Sequence, residues 1–223
     1  MPRAAAISLD PVIDELVRPR PDKRSLIQDA AIKVFATHGY HGSRVSDIAC
    51  EAGIAYGLVY HYFSNKDEIL ASIFEERWSG FLEMVEAIAR GTTSTEDRLV
   101  SVAALILDAY RVRPDWVKVL VLEIQRSSRF AEPNQIVAVG RLLDAVARIL
   151  RSGQESGEIR EELDPNVACY VLIGALDLVI TSLVLGITRL EGGRQDEREF
   201  YLKVARTVVD IFMHGMAAEA SVP

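Results

Sequence analysis

The sequence predicts an all-α protein of about nine helices. Along most of the 223 residues, apolar side chains recur at spacings of three and four, as on the buried face of a helix. Glycines, prolines and short polar residues stand between these segments, where they are typical of helix ends and turns. No segment shows the alternation of a strand, and the apolar runs are too long for buried strands. A hydrophobic content of 49% is that of a globular chain.

Residues 1–21 show no sustained periodicity and contain four of the eight prolines, so we expect a flexible arm there. Basic residues cluster around its end: Arg18, Arg20, Lys23 and Arg24. Such a cluster fits either a solvated tail or an arm that contacts the backbone or minor groove of DNA.

Four helices are predicted in the segment that follows the arm. They span about 22–38, 44–51, 55–62 and 66–90. Ser43 precedes the second helix as an N-cap, since its hydroxyl can accept from a free backbone N–H. Gly53 lies in the turn before the third helix, where glycine adopts a left-handed conformation at little cost. Asn65 and Glu68 have the spacing of a capping box and begin the fourth helix.

Five further helices are predicted in the rest of the chain. They span about 95–113, 114–126, 133–153, 165–189 and 196–215. Ser94 is a cap for the first of these, and Asp164 is a cap for the fourth. Prolines at 114, 133 and 165 stand in first turns, which tolerate a missing N–H.

The run from Val167 to Ile187 is long enough to cross a membrane, with Asp177 as its one charged residue. A carboxylate in the middle of such a span costs roughly 3 kcal/mol on insertion scales. A helix that is apolar all round is otherwise buried in a core or a subunit interface. The run therefore favours a core and dimer-interface helix, and a membrane-associated helical protein remains the alternative.

Charge and cysteine content restrict the functional classes. The formal net charge is −7, which argues against non-specific coating of nucleic acid, but residues 1–66 carry a net charge of +1 and the remainder −8. Two cysteines and a poor secretory signal suit the reducing cytoplasm, so we expect cytoplasmic localisation. The sequence lacks the nucleophile-elbow, zincin, P-loop and dinucleotide-binding motifs, and its four histidines form no metal-binding pattern. We therefore expect no enzymatic activity, no cofactor and no metal.

Residues 23–70 carry a series of short motifs in a fixed order. They are Gly39-Tyr40, Val45 with Asp47-Ile48-Ala49, Ala52-Gly53-Ile54, Gly57-Leu58-Val59-Tyr60-His61-Tyr62-Phe63, and Lys66-Asp67-Glu68-Ile69-Leu70. In this combination the segment resembles the tetracycline-repressor (TetR) family of bacterial transcription regulators. The resemblance implies a helix-turn-helix at about 44–63 within a DNA-binding domain at 22–68. Residues 69–223 would form a larger helical domain for ligand binding and dimerisation.

The residue pattern itself fits a helix-turn-helix, in which the second helix enters the major groove. Apolar residues suited to inward positions are Ile48, Ala49, Ile54, Val59 and Phe63. Outward positions meet phosphates or base edges, and Gly57 would let the helix approach the bases closely. Carried over residue by residue, the resemblance implies DNA contacts from Ser43, Arg44, Tyr56, Gly57, Leu58, Tyr60, His61, Tyr62 and Lys66. For Tyr60 and Tyr62 the alternative is a packed aromatic patch of the core.

In this family the last two helices pair with their two-fold mates in a four-helix bundle, which implies a palindromic operator. Interface residues expected on this basis are Leu178, Leu185, Val204, Val208, Ile211 and Phe212. Ligand binding changes the spacing of the two reading heads and releases the operator. The resemblance therefore implies a dimeric repressor that a small apolar effector releases.

Residues 122–127 and 157–164 are loosely similar to the branch of the family that responds to long-chain acyl-CoA. An apolar and aromatic lining is expected for such a pocket, with few polar anchors. Candidate ligand-binding residues are Tyr110, Trp116, Glu123, Arg126, Phe130, Tyr170 and Asp177. The alternatives are core positions for the aromatic residues and, for Glu123 and Asp177, carboxylates paired with Arg126, Arg141 or another arginine. A regulator of efflux or other metabolism that senses an unrelated apolar molecule remains the second interpretation.

Overall fold

The structure, a computed structural model, describes residues 22–124, 133–188 and 194–215. Within these ranges the chain forms nine α-helices and no strand, which confirms the all-α prediction. The helices are α1 (Lys23–Gly42), α2 (Val45–Glu51), α3 (Tyr56–Tyr62), α4 (Lys66–Ala89), α5 (Thr95–Val112), α6 (Pro114–Ile124), α7 (Pro133–Glu155), α8 (Pro165–Val184) and α9 (Arg194–His214). The arm predicted at residues 1–21, with Arg18 and Arg20, lies outside the described residues.

Three of the predicted helix caps are present. Side-chain oxygens of Asn65, Ser94 and Asp164 accept from backbone N–H groups of the following helices at 2.8, 3.1 and 2.8 Å. The N–H groups of a first helical turn have no partner within the helix, so these short polar residues fix where α4, α5 and α8 begin.

The predicted N-cap at Ser43 is wrong. α2 begins at Val45 after Arg44, whose own N–H donates to the carboxylate of Asp47 at 2.8 Å. The Ser43 hydroxyl instead donates to the carbonyl oxygen of Gly39 at 2.6 Å. Gly39 interrupts α1 with φ of 70° and ψ of 160°, and the chain then makes a further turn before α2. Ser43 thus secures the end of α1 and not the beginning of α2.

The described residues fall into two compact units. The first comprises residues up to Phe81 with Arg113–Glu132, and the second comprises Leu82–Val112 with the chain from Pro133. The first unit therefore contains α1, α2, α3, the first part of α4, and α6. The domain boundary predicted at residues 68–69 stays a prediction.

One apolar cluster fixes the helices of the first unit. Its members include Ile27, Ala31, Phe35, Ile48, Ala49, Val59, Phe63, Ile69, Ile73 and Val119. All but Ile54 of the five predicted inward positions are fully buried, and Ile54 is partly buried against the same cluster. Complete burial of an aliphatic side chain contributes about 1.5–3 kcal/mol, so this cluster determines which faces of α2 and α3 point outward.

The second unit is built on α5, α7, α8 and α9. In it, α9 packs against α5 and α8, and α7 packs against α8 and α5. Its fully buried side chains include Leu99, Leu107, Ile149, Leu150 and Leu172. α8 ends at Val184, five residues before its predicted end, and Gly186 follows with φ of 69°.

Candidate nucleic-acid interface and effector region

The turn between α2 and α3 gives the two helices their mutual direction. Gly53 has φ of 63°, a conformation that is inexpensive only for glycine. The N–H of Ile54 donates to the carbonyl oxygen of Ala49 at 3.1 Å and closes the turn. With Ile48 and Val59 anchored in the core, the remaining side chains of α3 form an outward face.

The outward face of α3 is defined by Tyr56, Gly57, Tyr60 and His61, all of which are exposed. Tyr56 is 53% exposed and Tyr60 is 45% exposed, high values for tyrosines on a seven-residue helix. Their hydroxyl oxygens lie 3.0 Å apart, and this hydrogen bond raises the pKa of Tyr60. A phenol hydroxyl can donate to a phosphate or accept from a base edge.

Tyr62 and Leu58 differ from these four residues. Both are half-buried, and Tyr62 packs against the apolar cluster of the first unit. The packed-core alternative therefore applies to Tyr62 and not to Tyr60, which points outward.

Ser43 is buried, and the DNA contact expected of it stays a prediction. It is 3% exposed, and its hydroxyl donates to the carbonyl oxygens of Gly39 and Val34. The neighbouring Arg44 is exposed at the start of α2. Of this pair, Arg44 alone presents its side chain to a ligand outside the protein.

Lys66 is partly buried and its ammonium has acceptors within the protein. Nζ donates to the carbonyl oxygens of Tyr40 at 2.6 Å and Ser43 at 2.8 Å. It also lies 4.2 Å from the centroid of the Tyr40 ring. The direct phosphate contact expected of Lys66 stays a prediction.

Two further basic side chains of the first unit have acidic partners. Arg24 contacts Glu76 at 3.4 Å and lies over the Phe63 ring, while Lys33 contacts Glu51 at 3.1 Å. Exposed ion pairs of this kind contribute at most about 1 kcal/mol and can be exchanged for phosphate contacts.

Tyr110, one of the candidate ligand residues, lies near several polar atoms in the second unit. Its hydroxyl donates to the carbonyl oxygen of Leu183 at 3.3 Å, and its ring meets the Tyr201 ring edge-on at 6.4 Å. Burial raises the pKa of Tyr201 to about 12. The hydroxyl oxygen of Thr181 is buried and has no hydrogen-bond partner among the described residues. The sequence does not single out Tyr201 or Thr181, because each stands in the apolar pattern of its helix without a motif around it.

Trp116, another candidate ligand residue, does not join this group. Trp116 belongs to the first unit, where it packs against the apolar cluster and meets the Phe74 ring at 6.4 Å. Arg126 and Phe130 lie outside the described residues, as does the side chain of Glu123.

Tyr170 and Asp177 are exposed on α8, and the ligand-binding role expected of them stays a prediction. Partial burial by the surrounding apolar residues raises the pKa of Asp177. Arg141, one of the partners considered for Asp177, instead donates to Glu86 at 2.8 Å. Tyr170 and Asp177 directly precede Val171 and Leu178, two exposed apolar residues of α8.

An exposed apolar stripe runs along α8. Val171 and Leu178 on α8, together with Leu185 at its C-cap, recur every seven residues and are 60%, 69% and 58% exposed. The opposite side of the helix is buried through Cys169, Leu172, Leu176, Ile180 and Leu183. On α9, Ile211 is 42% exposed, and Val204, Val208 and Phe212 are half-buried. We call these exposed and half-buried positions of α8 and α9 the apolar face of the second unit.

By length and composition alone, one described helix could cross a membrane, and it is α8, with a mean hydropathy of 2.2. One side of this helix contributes to the core of the second unit.

Comparisons with known proteins cover both units. Residues 27–73 match the model of bacterial regulatory proteins of the tetR family, and residues 74–205 match the model of the C-terminal region of YsiA-like proteins. The fatty acid metabolism regulator protein of Bacillus subtilis is 29% identical over 88% of this chain and 96% of its own length. A repressor of Pseudomonas putida, NicS, is 26% identical over 69% of this chain and 73% of its own.

Two solved structures of similar proteins share the fold. The Bacillus subtilis regulator FadR, solved in complex with stearoyl-CoA, matches with a TM-score of 0.76 and 29% identity over 87% of this chain and 100% of the other. The fatty acid degradation regulator FadR of Bacillus halodurans matches with a TM-score of 0.77 and 26% identity over 91% of this chain and 100% of the other.

Proposed function

This chain belongs to the tetR family of bacterial regulatory proteins, and we propose that it is a dimeric repressor that a long-chain acyl-CoA releases from its operator. Membership makes it a ligand-responsive, DNA-binding transcription regulator and not an enzyme. The specific proposal concerns which residues meet DNA, how two copies pair, and which effector they sense. A regulator of this kind acts on the chromosome, so we propose that it works in the cytoplasm.

The outward face of α3 supports a DNA-reading role. Arg44 supplies a cation to phosphate, and the two exposed tyrosines supply hydroxyl groups. Gly57 has no side chain and leaves open space on this face beside the two tyrosines, and His61 adds a further donor. Leu58 and Tyr62 lie at the edge of this face, where they reach the nucleic acid with part of their surface only.

The apolar face of the second unit supports pairing with a second copy. A heptad-spaced stripe of exposed Val and Leu side chains is the pattern of a helix that packs against another helix. Gly174 and Ala175 are exposed beside the stripe and permit close helix approach. Two reading heads related by a two-fold axis would bind two half-sites of a palindrome.

The relationship to the Bacillus subtilis regulator carries the acyl-CoA proposal. The similarity extends over 88% of this chain and includes the region outside the helix-turn-helix, where an effector binds in this family. In the second unit, α5, α8 and α9 bring Tyr110 and Tyr201 together, and Thr181 lies two residues before the carbonyl that Tyr110 contacts. This apolar interior with a few polar atoms suits a ligand with a long acyl chain.

Operator release tests the effector. A duplex that the wild-type protein selects from a random pool serves as the operator, and fluorescence anisotropy measures its dissociation constant. We expect stearoyl-CoA to raise that constant by between 5-fold and 150-fold, the usual range of coupling between two sites. Coenzyme A alone and stearate alone are the matched controls, and we expect neither to reach this effect.

An unchanged dissociation constant with stearoyl-CoA, against an intact specific complex, would remove the acyl-CoA effector. It would favour the second interpretation, a family member that senses an unrelated apolar molecule. Absence of any selected sequence would instead contradict the DNA-reading role of α3.

A further inference from the structure

A short turn connects α1 to α2, the first helix of the proposed DNA-reading pair. Gly39 breaks α1, and Arg44 stands in extended conformation immediately before α2. Between them the chain makes a turn whose carbonyl groups lie at the end of α1. Carbonyls at a helix end lack intrahelical donors, so other groups must bind them if the turn is to be rigid.

Two consecutive residues of the first turn of α4 hold this turn. The ammonium of Lys66 donates to the carbonyl oxygens of Tyr40 and Ser43 at 2.6 and 2.8 Å. The carboxylate of Asp67 accepts from the hydroxyl of Tyr40 at 2.6 Å. Tyr40 is 2% exposed and belongs to the core, so it is bound from three directions: through its ring, its hydroxyl and its carbonyl.

We propose that Lys66 and Tyr40 are positioning residues for DNA binding, which fix the turn between α1 and α2 and do not themselves contact phosphate. A cation near the C-terminal end of a helix interacts favourably with the helix dipole, and here that helix is α1. Two charge-assisted hydrogen bonds hold the ammonium away from an external ligand. The inference rests on the proposed DNA-reading face, because it concerns how that face is oriented.

Salt dependence distinguishes the two roles of Lys66. A side chain that neutralises one phosphate contributes about 0.9 to the slope of log affinity against log salt concentration on duplex DNA. A positioning residue changes affinity at every salt concentration and leaves that slope unaltered. The probe is the duplex that the wild-type protein selects from a random pool, and each variant is first titrated to determine its active fraction.

We expect Lys66→Met to lower affinity at least 10-fold with the wild-type slope. Arg44→Ala is the comparison, and the slope of its salt dependence should fall by about 0.9, the contribution of one phosphate contact. If the slope for Lys66→Met also falls by about 0.9, Lys66 contacts a phosphate and the inference is wrong. A normal slope for Arg44→Ala would contradict the proposed DNA face instead, so the two failures are distinguishable.

Tyr40→Phe and Asp67→Ala test the same turn without removing a positive charge. Loss of the Asp67 carboxylate by itself makes the protein less repulsive to DNA and would raise affinity, whereas loss of positioning lowers it. We expect both variants to bind at least threefold more weakly with the wild-type slope. Glu76→Gln, which removes the ion pair to Arg24 between the same two helices, is the matched control and should bind within twofold of wild type.

Equal weakening by Glu76→Gln and Tyr40→Phe would place the effect in general packing between α1 and α4, and it would overturn the role of the turn. Higher affinity for Asp67→Ala would overturn it as well. Melting temperatures measured alongside identify any variant that fails to fold, and Tyr40→Phe, which removes one oxygen atom, keeps the test open in that case.

Discussion

The Val171→Arg variant is expected to be monomeric and to bind its operator at least 100-fold more weakly than the wild-type protein. Val171 is 60% exposed in the heptad stripe of α8, so an arginine there is well solvated in a single chain. In a pair of facing helices the same guanidinium would enter an apolar seam without a partner, which is strongly unfavourable. A monomer engages one half-site only and loses the avidity of two linked contacts, which is worth 10²–10⁴-fold by order of magnitude.

Sedimentation equilibrium measures the first part of this result against the monomer mass of 24.7 kDa. Val137→Arg provides the control, since Val137 is 61% exposed on α7, outside the apolar face. Residue type, exposure and substitution are the same in the two variants, and only the helix differs. A Val171→Arg protein that remains dimeric with full operator affinity would exclude α8 as the interface. Dissociation of both variants would show that the effect is not specific to this face.

The helical pattern of the chain was predictable because it depends on local rules. The spacing of apolar residues identified the nine described helices, and cap residues such as Asp164 located where several begin. One error falls at a helix boundary where two hydrogen-bonding patterns compete for the same side chain. Ser43 has the chemistry of an N-cap, but its hydroxyl reaches back to Gly39 and Val34, and the sequence alone does not show that choice.

The sequence identifies candidate residues on α3 but does not show which of their side chains point outward. Tyr60 and Tyr62 are two positions apart on α3, so one faces outward and the other packs against the core. The same holds for α8, which the sequence presents as apolar all round. Its buried and exposed sides are distinguished by what α5, α7 and α9 cover, and Tyr170 and Asp177 lie on the exposed side.

Lys66 illustrates a further limit. Its position at the start of α4 follows from the motif, and a lysine at the N-terminal end of a helix beside a reading head is a natural phosphate ligand. The carbonyl oxygens that accept from Lys66 belong to Tyr40 and Ser43, which lie 26 and 23 positions earlier in the chain. Such contacts depend on how α1 and α4 pack, which no local pattern reports.

Replacing Gly57 is expected to separate stability from DNA binding. A Cβ atom added at Gly57 meets nothing within 4 Å, and its backbone is that of an ordinary helix. Because glycine is the least favourable helical residue apart from proline, Gly57→Leu should leave the free energy of unfolding unchanged or raise it by up to about 1 kcal/mol. The same side chain would occupy the space between α3 and the base pairs on the exposed face. Loss of close docking leaves only non-specific binding, which is typically 10³-fold weaker or more.

Anisotropy titrations and urea unfolding, run on the same Gly57→Leu preparation, measure the two quantities. Gly140→Leu is the matched control: Gly140 also lies within a helix with nothing within 4 Å of an added Cβ, but on α7 in the second unit. We expect Gly140→Leu to keep operator affinity, whereas Gly57→Leu loses the preference for the selected duplex over random DNA. If Gly57→Leu retained that preference, α3 would not approach the bases at Gly57, and sequence reading would have to come from another part of the first unit. The direction of the stability change matters equally, because a loss of DNA binding that accompanied unfolding would say nothing about docking. A protein that is as stable as wild type and no longer reads its operator therefore locates the groove-facing surface at Gly57.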